Sequence, residues 1–347
     1  MQKSFMKAFN SSHLICLSLF FVFGITVFPS QLVFAQTPSD IRSAPSGIAT
    51  SNDVDFSPNG SKIATYTKEN FIAIWDVQTG ELLQRLPGQD GYISELDWSP
   101  DGALLASASN NGTGVVWDLA TGERLRTFGD FGTGEERPFS GANEIEFSPD
   151  GRFIAAMRYE PSGLIVAWRI SDGTEVMRVN RDVKTHDFGW SSDGGEVYSL
   201  DSDGTLNGWS FPDGVKIRSV RLDDERLADL DGLQQGIVAT GGAGDTVVVY
   251  DLKDDSIQYR LNQEAFVNRT AVANDIDRVA SAGSDGYLYY WDLESGELLY
   301  RRFAHNPIHY YVTFSPDRSI LATSGSDNNL RLWEAETGKL IREISGR

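Results

Sequence analysis

Apolar and polar positions alternate in short runs, and the alternation recurs with a fixed period. An aromatic stands at Trp75, Trp117, Trp168, Trp209, Tyr250, Trp291 and Trp333, with steps of 42, 51, 41, 41, 41 and 42 residues. Most anchors are preceded by a turn signal of the Phe-Ser-Pro-Asp-Gly type, usually 19 residues earlier. One unit reads Glu95-Leu96-Asp97-Trp98, a Ser99-Pro100-Asp101-Gly102 turn, Leu104 to Ser107, an Asn110-Asn111-Gly112 turn, Val115 to Trp117, and Leu125 to Phe128. That pattern predicts four short strands separated by turn residues. The third strands, such as Ile72 to Trp75, Val115 to Trp117, Val247 to Tyr250 and Leu288 to Trp291, are almost wholly apolar. A strand reads this way when both its faces are covered. A period near 42 residues predicts supersecondary units that bury their faces only against one another.

The unit resembles the WD-repeat family, whose four-stranded blades close into a ring. Trp75-Asp76, Trp117-Asp118 and Trp291-Asp292 carry the dipeptide intact. Tyr250-Asp251, Trp333-Glu334, Trp168-Arg169 and Trp209-Ser210 are degenerate forms. The resemblance implies an all-β fold, a seven-bladed propeller of four-stranded antiparallel blades over residues 51–347. It also implies a structural set in which a histidine is bonded through Ser or Thr to the Trp and supported by a turn aspartate. Only the last blade offers that set, as His305, Ser324, Asp327 and Trp333. Blade seven closes with the tail from Lys339 to Ile344 as its outer strand; the rival is the segment from Asp40 to Ala44.

Lys3 and Lys7, an apolar run from Leu14 to Phe28, and Val33-Phe34-Ala35 read as a secretory signal peptide over residues 1–35, cut after Ala35. The run is about 15 residues, against roughly 20 needed to span a bilayer. Residues 36–50 are a linker or closing segment. The only cysteine, Cys16, lies within the signal, so the exported chain has no disulfide and no thiol chemistry. This fits a bacterial envelope protein, periplasmic or secreted. No later segment is apolar enough to be a transmembrane helix.

Charge narrows the partners. The chain carries −19, and removing Lys3 and Lys7 leaves −21. Such a surface repels nucleic acid and anionic lipid. No nucleophile elbow, phosphate loop or zinc helix is present. His186, His305 and His309 are too few and too dispersed for a zinc set.

Two features depart from the repeat. The link between Trp117 and Phe147 is about seven residues longer than its counterparts and contains Phe131, Arg137 and Phe139. The following turn is two residues longer and contains Arg158 and Tyr159. In the family both loops lie on one face, around the channel mouth. With His309 and Tyr311, these residues form the expected surface for a protein partner. The second feature comes from register. Asp53, Glu95, Glu144 and Asp187 stand three positions before the first-strand aromatic, and Asp55, Asp97 and Glu146 one position before it. Blade six has Arg269 at the first of these registers and blade seven Tyr311. Innermost strands place such carboxylates around part of the channel, as a wet wall or a cation site. Hard oxygen ligands favour calcium there; no other cofactor is expected. The reading is therefore an exported, monomeric, non-enzymatic scaffold that binds protein through one face. The competing reading is a propeller hydrolase or lactonase using a channel metal and carboxylates.

Overall fold

A computed structural model describes residues 53–67, 70–129, 142–158, 163–180, 182–222, 227–242, 244–306 and 310–345. The signal-peptide and linker assignments fall outside these residues. Seven antiparallel sheets follow in chain order and form a seven-bladed β-propeller. Six blades are four-stranded meanders, over residues 54–86, 93–128, 142–180, 185–221, 267–303 and 310–345. Blade five has three strands, Ile237–Thr240, Thr246–Asp251 and Ser256–Asn262. Its inner edge is met by the chain near 227–231 through two isolated bridges, Leu227 to Gly242 and Asp231 to Ala239. Two short 3₁₀ turns, Leu233–Gln235 and Asn274–Ile276, are the helical elements among the described residues. No helix there is long and apolar enough to cross a membrane.

The strands form where alternation and β-branched residues favour them, and the turns stop them. In the second blade Ser99 Oγ donates to Asp101 Oδ1 at 2.7 Å and accepts from the Leu104 amide at 2.9 Å, closing the turn. Gly102 supplies the positive φ (71°) that this turn requires. The Asp of the Trp-Asp pair works in the next turn, where Asp118 Oδ1 accepts from the Ala120 and Thr121 amides. That local role explains why the Trp recurs more faithfully than its neighbour.

The core lies between blades. Trp117 is fully buried and packs with Tyr66, Ile72 and Ile74 of the first blade. Its indole N–H donates to Ser107 Oγ at 2.8 Å. The same bond joins Trp75 to Thr65, Trp209 to Ser199, Trp291 to Ser281 and Trp333 to Thr323. Trp168 and Tyr250 hold the equivalent buried positions in blades three and five.

The ring closes without strand exchange among the described residues. Lys339–Ser345 is the outer strand of blade seven, paired with Asn329–Glu334, so the C-terminal tail fills the place assigned to it. Leu330, Leu332 and Ile344 of blade seven pack on Val54, Phe56 and Trp75 of blade one. Arg342 then donates to the carbonyls of Gln78 and Thr79, at 2.6 and 2.8 Å.

One structural assignment needs correction. The hydroxyl between His305 and Trp333 belongs to Thr323, not Ser324. His305 Nε2 lies 2.9 Å from Thr323 Oγ1, and Nδ1 lies 2.8 Å from Asp327 Oδ1. Strand residues alternate faces, so a one-residue slip turns the hydroxyl away from the indole. Burial lowers the His305 pKa, keeping the ring neutral. Burial raises that of Asp327, but the bonds from His305 and Arg331 outweigh it and hold the carboxyl low.

Candidate functional site: the acidic channel

The first strand of each blade lies innermost, and its free edge faces the channel. Such an edge presents backbone N–H groups that must find partners. Carboxylates two residues apart on one strand project from the same face. Here they reach across to the next blade. Asp53 Oδ2 accepts from the Leu96 amide at 2.6 Å, and Asp55 Oδ2 from Trp98 at 3.3 Å. Asp97 accepts from Phe147 at 2.5 Å, Glu146 from Trp190 at 3.2 Å and Asp187 from Leu230 at 2.8 Å. Asp229 accepts from the Thr270 amide at 2.5 Å, and Asp231 from Val272 at 2.6 Å. The acids therefore form two layers that stitch blades one to six, each to the following one. Where the carboxyl is ionised, such a bond is charge-assisted and stronger than a neutral one.

Sequence reasoning placed Asp53, Glu95, Glu144 and Asp187 at one depth, and all four line one cavity of ≈ 530 Å³. It missed Asp229 and Asp231, which extend the layers into blade five. Their spacing matches Asp53 and Asp55, but Gly232 stands where the other blades have an aromatic or a branched apolar residue. The signal that finds them is the Asp-Leu-Asp spacing, not the anchor.

Arg269 supplies the internal counter-charge. Its Nη1 lies 3.0 Å from Asp229 Oδ1 and 3.7 Å from Asp187, and its Nη2 lies 3.9 Å from Glu144. Nη2 also donates to the Tyr311 hydroxyl at 2.8 Å, and the guanidinium carbon sits 4.5 Å from the centre of the Tyr311 ring. Tyr311 thus belongs to the channel wall rather than to an outer docking surface.

One arginine does not neutralise the layers. Burial pushes the Asp55 carboxyl up to about 8, with the Asp53 charge adding to it. Burial raises Glu144 to about 8, and Asp53 and Asp231 to about 6. Glu95, Asp97 and Asp187 are also raised well above the usual carboxylate range by burial, reinforced by the charges of Asp53, Asp55 and Glu144 respectively. Among the described residues no group of three or more carboxylates and histidines is close enough to chelate a metal. The four residues assigned to calcium share the cavity without converging on one point.

Of the residues expected to bind a partner, Phe131, Arg137, Phe139, Tyr159 and His309 lie outside the described residues. Arg158 ends the second strand of blade three, half-buried. The structure adds Tyr92, 75% exposed, and Phe266, 59% exposed. Each immediately precedes a first strand, at the same register in blades two and six.

Two buried glutamines were also missed. Gln89 Oε1 accepts from Ser107 Oγ at 2.7 Å, and Gln263 Oε1 from Ser281 Oγ at 2.7 Å. Both sit 18 residues before their hydroxyl partner, as His305 does before Thr323. Glutamine fills the histidine's place in the networks of Trp117 and Trp291.

The architecture is a seven-bladed propeller with an acid-lined channel. The family model described as WD domain, G-beta repeat matches residues 80–118 and 296–334, so these two stretches are similar to WD repeats. Each matched stretch ends at a Trp-Asp or Trp-Glu pair. No curated protein matches the chain in sequence. Among solved structures it is similar to the β-propeller domain of Cps50 (Swd1) from Myceliophteria thermophila. The identity is 19% and the TM-score 0.72, over 83% of this chain and 98% of that one. It is also similar to a chain of the mitotic checkpoint complex, at 18% identity and TM-score 0.70, over 89% and 98% of the two chains.

Proposed function

We propose that this protein is an exported, non-enzymatic scaffold that docks a protein partner on the propeller face carrying the loops before the first strands. The observation that supports this most is the exposure of Tyr92 and Phe266 on that face. Large aromatics left in water at equivalent positions of two blades are the residue type that anchors interfaces. The rigid ring beneath them lets loops vary without altering the scaffold. The insertions containing Phe131, Arg137, Phe139 and Tyr159 belong to the same face in this reading. The acidic surface favours a partner with a basic contact patch. Residues 1–35 direct export and are removed after Ala35.

The test uses a photo-crosslinking amino acid placed at Tyr92 and, as a control, at Ile217 on the outer strand Lys216–Arg221. Crosslinking in the native cells is expected to give one discrete adduct from position 92 and none from 217. Phe266→Ala is expected to weaken that adduct. Equal adducts from both positions, or an adduct insensitive to Phe266, would place the docking surface elsewhere. N-terminal sequencing of the exported protein checks the cleavage site, with Gln36 as the expected first residue.

A further inference from the structure

Not all the channel acids serve the fold. Seven of them each accept a backbone N–H of the next blade. Glu95 and Glu144 accept none among the described residues, and their Oε2 atoms have no hydrogen-bond partner there. Glu144 is only 8% exposed, on the wall of the ≈ 530 Å³ cavity. A buried polar atom without a partner carries a desolvation cost that a ligand would relieve. The cavity wall holds nine carboxylates and two arginines. Arg269 serves the Asp187 and Asp229 side, and Arg318 is drawn outward to Asp275, 3.0 Å away. Among the described residues, the cavity-lining residues of blades one to three include no cation, and Arg269 reaches that side only at Glu144, 3.9 Å away.

The missing charge has a definable chemistry. Among the described residues no three ligands converge for a metal, whereas an ammonium group needs only hydrogen-bond acceptors around it. Two acid layers are present, and Glu95 and Asp97 lie two residues apart on one strand. That spacing is about 6.5–7 Å along the strand. An aliphatic diamine of about that reach spans both layers.

We propose that the channel binds a small aliphatic diamine, one ammonium held by Glu95 and Glu144 and the other by Asp55 and Asp97. Each of the first pair has an Oε2 free for its ammonium, although the other oxygen of Glu144 lies 3.9 Å from Arg269. The second pair keeps its bonds to the Trp98 and Phe147 amides and offers its remaining oxygens. Arg269 repels a cation from the Asp187 and Asp229 side and so biases the diamine towards Glu95. Binding favours the ionised carboxylates and therefore releases protons. This inference is independent of the docking face: a diamine site stands or falls whether or not a protein binds above it.

The experiment is calorimetric titration of the purified protein at low salt with putrescine, butylamine and calcium chloride in turn. Putrescine is expected to bind at least about tenfold more tightly than butylamine, since the second ammonium meets a second acid layer. Its apparent heat should differ between two buffers of different ionisation enthalpy, as proton release demands. Glu144→Gln and, separately, Glu95→Gln should each weaken putrescine binding about tenfold. Neither removes a carboxylate-to-amide bond between blades, and glutamine keeps the shape of the side chain, so both variants should melt as cooperatively as the parent. Equal affinities for putrescine and butylamine would overturn the proposal. So would binding of calcium without putrescine, or putrescine binding insensitive to both substitutions.

Discussion

Asp229→Ala is the sharpest perturbation of the channel. Asp229 Oδ2 accepts from the Thr270 amide and hydroxyl, at 2.5 and 2.6 Å, and Oδ1 accepts from Arg269 at 3.0 Å. Deletion strands a guanidinium whose side chain is only 19% exposed, with its next carboxylates at 3.7 and 3.9 Å. Leaving such a charge without its closest partner costs about 3–5 kcal/mol. The unpaired Thr270 amide adds about 1–3 kcal/mol. Removing one acid also relieves repulsion on Asp231, Asp187 and Glu144, which offsets part of the loss. The net expectation is about 3–5 kcal/mol, or about 6–15 °C in melting temperature for a chain of this size. Urea unfolding and scanning calorimetry at pH 7 measure it. Arg269→Met in the Asp229→Ala background should recover part of the loss, because the stranded charge is gone. A loss below about 1 kcal/mol for Asp229→Ala, or no recovery in the double variant, would refute this account of the inter-blade bond.

Trp117→Ala should cost about 3–5 kcal/mol, as buried aromatic truncations do, and a thermal melt matching the parent would remove Trp117 from the core. Gln89→Leu leaves the Ser107 hydroxyl without its acceptor and should cost about 1–3 kcal/mol; Gln89→His should cost less in the same urea titration, because His305 makes the equivalent contact. Deleting residues 131–139 should leave the melting temperature nearly unchanged and abolish the crosslinked adduct; an intact adduct would show that this insertion takes no part in docking. The channel also sets the pH dependence. Its carboxyls have folded values of about 6 to 8, above their ordinary values near 4, so the folded state binds more protons in that window. Stability should therefore fall as pH rises from about 4 to 8. Turn aspartates such as Asp101, Asp150 and Asp193, held low by turn hydrogen bonds despite the burial that opposes this at Asp150, lose their contribution only below about pH 4. A melting temperature that rises between pH 5 and 8 would contradict this.

The blades were legible in the sequence because each must bury an indole at the same place, and the steps between indoles measure the period directly. The channel acids were half legible. Asp53, Glu95, Glu144 and Asp187 could be placed because Phe56, Trp98, Phe147 and Trp190 fix the register. Asp229 and Asp231 could not, because blade five puts Gly232 at that point and meets the sheet by bridges alone. The acids' use was hidden as well. That a carboxylate caps an amide some 43 residues ahead depends on the approach of two inner edges, which no local pattern records. The slip from Thr323 to Ser324 has the same origin, since both carry a hydroxyl and only strand parity separates them. The docking face stays the least legible part, because a loop insertion states its length but not its contacts.

The central claim is that carboxylates of one blade hold the inner-edge amides of the next. Native-state hydrogen exchange at the amides of Leu96, Trp98, Phe147, Trp190, Leu230, Thr270 and Val272 tests it most directly. These groups lie at a sheet edge beside a polar cavity, where uncapped amides exchange through local fluctuation. The account predicts protection comparable with amides in the middle of each blade, such as Val116 and Val166, and selective loss of protection at Thr270 in Asp229→Ala. Exchange at these seven amides as fast as at exposed turns, in the parent protein, would contradict it.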